Sequence, residues 1–148
     1  MKFSTPVQQK CYERVAPMME ELFGPVAQPD QDVPRFWLTV DSAQTRITVL
    51  PFDESTSIIE VYSAVVQEVK TTPELMQYLL TKNADMVFGA FGIDDDGDVI
   101  FRHTIMGDTC DKEELKVSVL AVASTAERED DEIVAKFGGK RGSDMMTG

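Results

Sequence analysis

Apolar residues recur along this chain in two rhythms, and the switches between them lay out the elements. Thr5-Pro6 reads as an N-cap with proline at the first helical position, and Val7, Cys11, Val15, Met18 and Leu22 then fall on one helical stripe that Gly24-Pro25 closes. Pro17 lies inside this run and predicts a kink or a split, because it removes an amide donor and crowds the preceding turn. A polar, proline-rich loop follows from Pro25 to Pro34. Phe36, Leu38 and Val40 then alternate with Trp37, Thr39 and Asp41, and Ile47 and Val49 alternate with Arg46 and Thr48, which predicts two half-buried strands with a turn at Asp41 to Gln44. The parity sends Trp37 away from the face of Phe36, Leu38 and Val40. Ser57 to Val69 is rich in β-branched residues and apolar on both parities, as expected of a central strand covered on both faces.

Thr72-Pro73-Glu74 repeats the cap-and-proline signature, and Leu75, Met76, Leu79 and Leu80 form the expected buried side of a short helix ending near Asn83 as a left-handed cap. Phe88 to Ile93 and Val99 to Met106 then read as two strands joined across Asp94-Asp95-Asp96-Gly97-Asp98. A two- or four-residue loop would set Phe88 opposite Ile105, Ala90 opposite His103 and Gly92 opposite Phe101 on a core face. The other face would then carry Val87, Phe91, Ile93, Ile100, Arg102, Thr104 and Met106, with Arg102 packed on Phe91; a three-residue loop would undo that register. The last helix starts at Asp111, spaced to Glu114 like a capping box, and carries Leu115, Val119, Val122, Ala126 and Ile133 on one stripe. Its charged run Glu127 to Glu132 reads as a solvated face. Together the elements predict a single α+β domain in the order α-β-β-β-α-β-β-α, an antiparallel sheet packed with helices over residues 1–137, with 138–148 a flexible Gly-rich tail.

Charge narrows the choice of partners. Against 14 basic side chains stand 26 acidic ones, a formal charge of -12 over 148 residues, which repels nucleic-acid backbones and anionic lipid and suits a basic protein segment. The plain alternative is that acidity keeps a small domain soluble. Cys11 and Cys110 are too far apart in sequence for a CxxC motif, and neither a disulfide framework nor a metal site is indicated. Cys11 sits on the apolar stripe of the first helix, where a buried inert thiol is the ordinary case. Met1-Lys2-Phe3-Ser4 enters a polar segment, and no run approaches the ~18 apolar residues of a membrane span, so the expected location is the cytoplasm.

Catalytic signatures fare poorly. Placing Gly97 at the sixth position of a calcium loop sets Gly92 first and His103 twelfth, where acidic ligands belong, so the aspartates read as turn formers. Gly138-Gly139-Lys140 lacks the rest of a P-loop, and Gly89-Ala90-Phe91-Gly92 has the wrong spacing for a dinucleotide site. His103 is the sole histidine and has no nucleophile nearby in sequence. No enzyme, cofactor or metal is expected.

The element order, with Phe88-Gly89, Asp94 to Asp98, Val99-Ile100-Phe101, Met106-Gly107 and the Glu114-Leu115 helix start, resembles the YbjN family of the type III secretion chaperone-like superfamily, which also holds the Tir-chaperone group. Within it the chain is similar to a branch from photosynthetic bacteria, most clearly from Leu79 to Phe137. The resemblance implies a homodimer that holds an extended or amphipathic segment of another protein, and it brings no catalytic residue. The expected function is therefore a non-catalytic chaperone-like or adaptor protein with a protein or peptide client. Trp37, Phe91, Arg102 and Met106 are the candidate partner-binding residues, placed by parity on the less apolar strand faces. Two other readings are a small-molecule sensor with an enclosed pocket and, less favoured, a carboxylate-dependent enzyme built on a buried aspartate near the hairpin.

Overall fold

Three helix starts are set by side chains within three residues of the amides they cap. Thr5, Thr72 and Asp111 accept from the backbone amides of Gln8, Leu75 and Glu114 and open α1 (Pro6–Phe23), α2 (Pro73–Asp85) and α3 (Lys112–Phe137). Residues 1–142 are described in the computed structural model. The α1 helix runs unsplit through Pro17, which lies on its exposed side. It ends at Gly24, whose φ of 55° suits glycine, and a 3-10 turn over Gly24–Val26 follows.

The remaining elements form one antiparallel sheet. Its strands are β1 (Ala27–Pro29), β2 (Arg35–Val40), β3 (Ala43–Pro51), β4 (Ser57–Gln67), β5 (Ala90–Ile93), β6 (Val99–Met106) and β7 (Lys140–Arg141). They lie in the order β1-β2-β3-β4-β6-β5, and β7 pairs with β4. The expected order is therefore present, with two short strands added. β1 arises inside the stretch read as loop, and β7 inside the stretch read as tail.

Lys140 pairs with Gln67, Arg141 pairs with Val66, and the Gly142 amide donates to the Val65 carbonyl at 2.8 Å. Gly138 and Gly139, with φ of 83° and 91°, make the turn that permits this return. The chain from 138 to 142 is thus pinned to the sheet, and the rest of the expected tail lies outside the described residues.

Helices α1 and α3 cover one face only. Cys11, Val15 and Met19 from α1 and Leu115, Val119, Val122, Ala126 and Ile133 from α3 share a buried cluster with Phe36, Leu38, Ile47, Val49, Ile59, Val61 and Phe101. β4 is central, between β3 and β6, as its composition suggests. Its second face is left half open at Ile58, Glu60, Tyr62 and Ala64, contrary to the expectation of two covered faces.

The acidic hairpin shifts by one residue from its expected register. Phe91 stands opposite Phe101 and Ile93 opposite Val99, while Asp94 closes the loop by donating its amide to the Asp98 carbonyl at 3.0 Å. The loop has three residues, with Gly97 left-handed at φ 83° and Asp94 Oδ1 accepting from the amides of Asp96 and Asp98. A one-residue slip turns every side chain of a strand over. Phe91 accordingly enters the core and meets Phe101 edge-on, with ring centroids 4.9 Å apart. The glycine beneath the Phe101 ring is Gly89, where an added Cβ would lie 2.6 Å from Phe101 Cε1.

The charged end of α3 is not a solvated face throughout. Glu129 is only 3% exposed, accepts from the Tyr78 hydroxyl at 2.9 Å and pairs with Lys82 at 3.3 Å, so it ties α2 to α3. Asp130 is equally buried and accepts from Ser42 Oγ at 2.8 Å, which ties α3 to the β2–β3 turn. In α2 only Leu75 and Leu79 are buried, and Met76 and Leu80 face outward.

Candidate partner-binding surface

The two-residue turn at Asp41-Ser42, with Asp41 at φ 51°, sets the register of β2 against β3 and so decides which side chains share the uncovered face. Trp37 pairs with Arg46, Arg46 with Tyr62, and Tyr62 with Arg102, which makes a row of alternating aromatic and guanidinium groups across four strands. A parallel row of Leu50, Ile58 and Met106 is wholly apolar. Between them Arg35, Thr48, Glu60 and Thr104 form a polar row.

Contacts hold these side chains in place. The Arg46 guanidinium stacks 4.0 Å from the Tyr62 ring centroid, and Arg35 lies 5.6 Å from that of Trp37. Glu60 accepts from Arg102 at 2.9 Å and reaches Arg46 at 3.9 Å. At the margin, the Asp32 amide chiefly holds the Asp30 carboxyl below its usual range, helped by the Val33 amide and the Trp37 indole. Arg46 Nε and Gln44 Oε1 are buried without a hydrogen-bond partner among the described residues.

Three of the four candidate residues meet on this face. Trp37 is half-buried in the aromatic row, and Arg102 and Met106 are exposed on β6. Phe91 does not join them, because the three-residue hairpin loop turns it into the core. Arg102 therefore packs beside Tyr62 and Glu60 rather than on Phe91. Arg46 and Tyr62 were missed as candidates. The signal for Arg46 was present in the short turn, since a hairpin closing at Asp41-Ser42 places it directly opposite Trp37.

A second apolar region lies along α2 and the free edge of β5. Met76, Leu79, Leu80, Asn83, Phe91, Gly92 and Ile93 line an open groove of about 210 Å³, and Leu80 is 69% exposed. Asn83 does not cap its helix in a left-handed turn; α2 continues to Asp85. Its amide instead accepts from the Phe91 N–H at 2.7 Å and donates to the Phe91 carbonyl at 3.1 Å. One side chain thus satisfies both outward backbone groups of Phe91 on an edge strand.

The remaining titratable groups have structural surroundings. Burial raises the Cys11 thiol and pushes Cys110 up to about 11, and the Arg14 guanidinium bridges the loop between them by donating to the carbonyls of Gly107 and Cys110. Burial, and then the neighbouring Asp94, raise Asp98 at the hairpin tip. Asp94, Asp96 and Asp98 come within 4.8 Å of one another, but Asp94 Oδ1 already serves the loop amides. Burial lowers His103, which meets Phe88 edge-on at 5.7 Å. Among the described residues, no helix is long and apolar enough to cross a membrane.

This fold is similar to that of chains in several solved protein complexes. A chain of the ExsC–ExsE complex matches at a TM-score of 0.61 with 16% identity, over 84% of this chain and 94% of that one. The structure of the Yersinia pestis type III secretion chaperone SycH with a stable fragment of YscM2 matches at 0.58 with 10% identity, over 80% and 98% of the two chains. The HopA1–SchA chaperone–effector complex matches at 0.60 with 13% identity, over 85% and 99%. No curated protein matches in sequence. The model of the family described as T3SS (YopN, CesT) and YbjN peptide-binding chaperone 1 matches residues 9–145, and over that span, which takes in the whole core sheet and α3, the chain belongs to this family of peptide-binding chaperones.

Proposed function

We propose that this protein is a non-catalytic chaperone or adaptor that works as a homodimer and holds an extended or amphipathic segment of a partner protein against the uncovered face of its sheet. The observation that carries the reading is the pair of rows on that face. Leu50, Ile58 and Met106 offer a strip for apolar side chains, and Trp37, Arg46, Tyr62 and Arg102 offer aromatic faces and donors beside it. Trp37 is the anchor, because it is large, amphipathic and half-exposed at one end of its row. The similar folds bearing bound proteins support the same use of the fold. Met76 and Leu80 on α2 support self-association, since a helix with two buried residues and two exposed large apolar ones gains from a second copy.

The groove along α2 and β5 is open, which does not favour an enclosed small-molecule pocket, and the raised carboxyl of Asp98 is accounted for by its burial and by the neighbouring Asp94. The test is affinity capture with the wild-type protein and Trp37→Ala, followed by identification of the segment protected from protease. Loss of the same protected segment with Trp37→Ala, at unchanged circular dichroism, is the expected result. Equal recovery by both versions overturns the site. A mass near 16.5 kDa at every concentration in light scattering overturns the dimer.

A further inference from the structure

Phe88 is displayed on the surface by a backbone device. Gly89 follows it at φ 79°, a conformation other residues rarely adopt, and lies so close to Phe101 that a side chain would meet the ring at 2.6 Å. The chain therefore turns over Phe101 and leaves the Phe88 ring 40% exposed, braced edge-on by His103. Opposite it runs α3. Phe88, Val117 and Ser118 with Asp111, Glu113 and Glu114 line an open groove of about 330 Å³. Its apolar floor continues along α3 through Leu120, one turn beyond Val117 and likewise exposed.

The lip is acidic, and its carboxylates are free of bases. None of Asp111, Glu113 and Glu114 has a Lys or Arg within salt-bridge distance among the described residues. The neighbouring Lys112 is engaged by Glu21 at 2.9 Å, Lys116 stands next to Val117 in sequence, and His103 is held towards its neutral form by burial. Acids in a first turn are ordinary for helix stability. An exposed aromatic ring and an apolar floor beside them are not needed for that. The uncovered sheet face has a different balance, for there three guanidiniums stand against Glu60 and the nearby Asp30, Asp94 and Asp98.

We propose that the groove between Phe88 and α3 is a second docking point that takes a large apolar side chain flanked by lysine or arginine, from a basic amphipathic segment of the client. This rests on the peptide-binding reading above and names the chemistry of the bound segment. Apolar contact with Phe88 and Val117 anchors the segment, and the unpaired lip carboxylates select its charge.

The test uses an 18-residue amphipathic leucine–lysine peptide, its leucine–glutamate counterpart, and the full-length protein. Binding is measured by fluorescence anisotropy at several salt concentrations. The leucine–lysine peptide is expected to bind and the leucine–glutamate peptide not to. Phe88→Ser is expected to weaken binding at least tenfold, and Glu113→Gln with Glu114→Gln roughly tenfold with a shallower salt dependence. Glu127→Gln with Glu132→Gln removes the same charge elsewhere on α3 and is expected to change affinity less than twofold. Val117→Lys serves as a second groove variant if Phe88→Ser fails to fold, and is expected to lose binding as well. Equal losses from the two charge pairs would show diffuse attraction and overturn the site. Conversion of a dimer to a monomer by Phe88→Ser would make the occupant a second copy and overturn it too. Binding that survives Trp37→Ala supports the groove by itself; failure of the peptide to bind while Trp37-dependent capture persists sinks the groove and leaves the sheet-face reading standing.

Discussion

Replacing Glu129 with alanine tests whether a charged run on a helix can hold a fold together. Its side chain is 3% exposed, and it accepts a 2.9 Å hydrogen bond from the Tyr78 hydroxyl. A hydrogen bond to a charged acceptor contributes about 1.5–3 kcal/mol. The Lys82 ammonium, 3.3 Å away on a side chain 41% exposed, adds less than about 1 kcal/mol because water screens it. Removing a buried carboxylate also relieves its desolvation, which offsets part of the loss. The expected cost of Glu129→Ala is therefore about 2 kcal/mol, which for a chain of this size lowers Tm by roughly 4–8 °C. Urea unfolding followed by far-UV circular dichroism measures it, with Glu132→Ala as the control. Glu132 is exposed and, among the described residues, its ion pair is with Lys136 one turn on, so its removal costs under about 0.5 kcal/mol. A cycle with Tyr78→Phe should show coupling of about 1 kcal/mol or more between Tyr78 and Glu129. Equal effects of Glu129→Ala and Glu132→Ala would refute the reasoning and return the whole run to solvent.

Four further outcomes follow from the geometry. Gly97→Ala is expected to cost about 1–2 kcal/mol from its left-handed φ alone, since nothing crowds its Cβ position, whereas Gly89→Ala adds a clash with Phe101 and should cost at least about 1 kcal/mol more in thermal unfolding. Asn83→Ala removes both bonds to the Phe91 backbone, so hydrogen exchange at the Phe91 amide should quicken while exchange at the centre of β4 keeps its rate. Both thiols are buried, and Cys110 is raised to about 11, so a thiol reagent at pH 7 should titrate the two cysteines only after denaturant is added; rapid labelling of the native protein would contradict their burial. Burial raises the Asp130 carboxyl above its unfolded value, so its protonated form favours the folded state: that contribution is full below about pH 4 and is lost as pH rises through the elevated pKa. Asp130→Asn should therefore flatten the fall in stability over this window, and an unchanged slope would rule the carboxyl out as its source.

Legibility divided along physical lines. The three helix starts were plain because each cap is a contact between residues three apart, and Thr5-Pro6, Thr72-Pro73 and Asp111 to Glu114 carry that contact in their own side chains. Alternation likewise placed Phe36 and Leu38 inside and Trp37 outside, because strand parity is a local property. The central place of β4 could be read from its many β-branched residues. The candidate surface was partly visible for the same reason: parity turns Trp37 and Arg46 away from the core positions of their own strands, while cross-strand register decides that they share one face with Tyr62, Arg102 and Met106.

What tertiary structure decided depends on residues distant in sequence or on a choice between turns of nearly equal local merit. The acidic loop admits two, three or four residues, and the three-residue form is the one in which Phe91 and Phe101 both enter the core under the helices. β7 exists because the edge of β4 beside Val66 and Gln67 stands ready to pair, which nothing in Lys140-Arg141 announces. Glu129 and Asp130 look like neighbours in a solvated run, yet Tyr78 and Ser42, 51 and 88 residues away, give them partners and bury them. Met76 and Leu80 have the periodicity of core residues and are left outside because the single covering layer of α1 and α3 lies elsewhere. Local sequence determined which elements form and which way their side chains can point; the packing of distant elements decided which of those faces is covered, because burial is a property of the partner as much as of the residue.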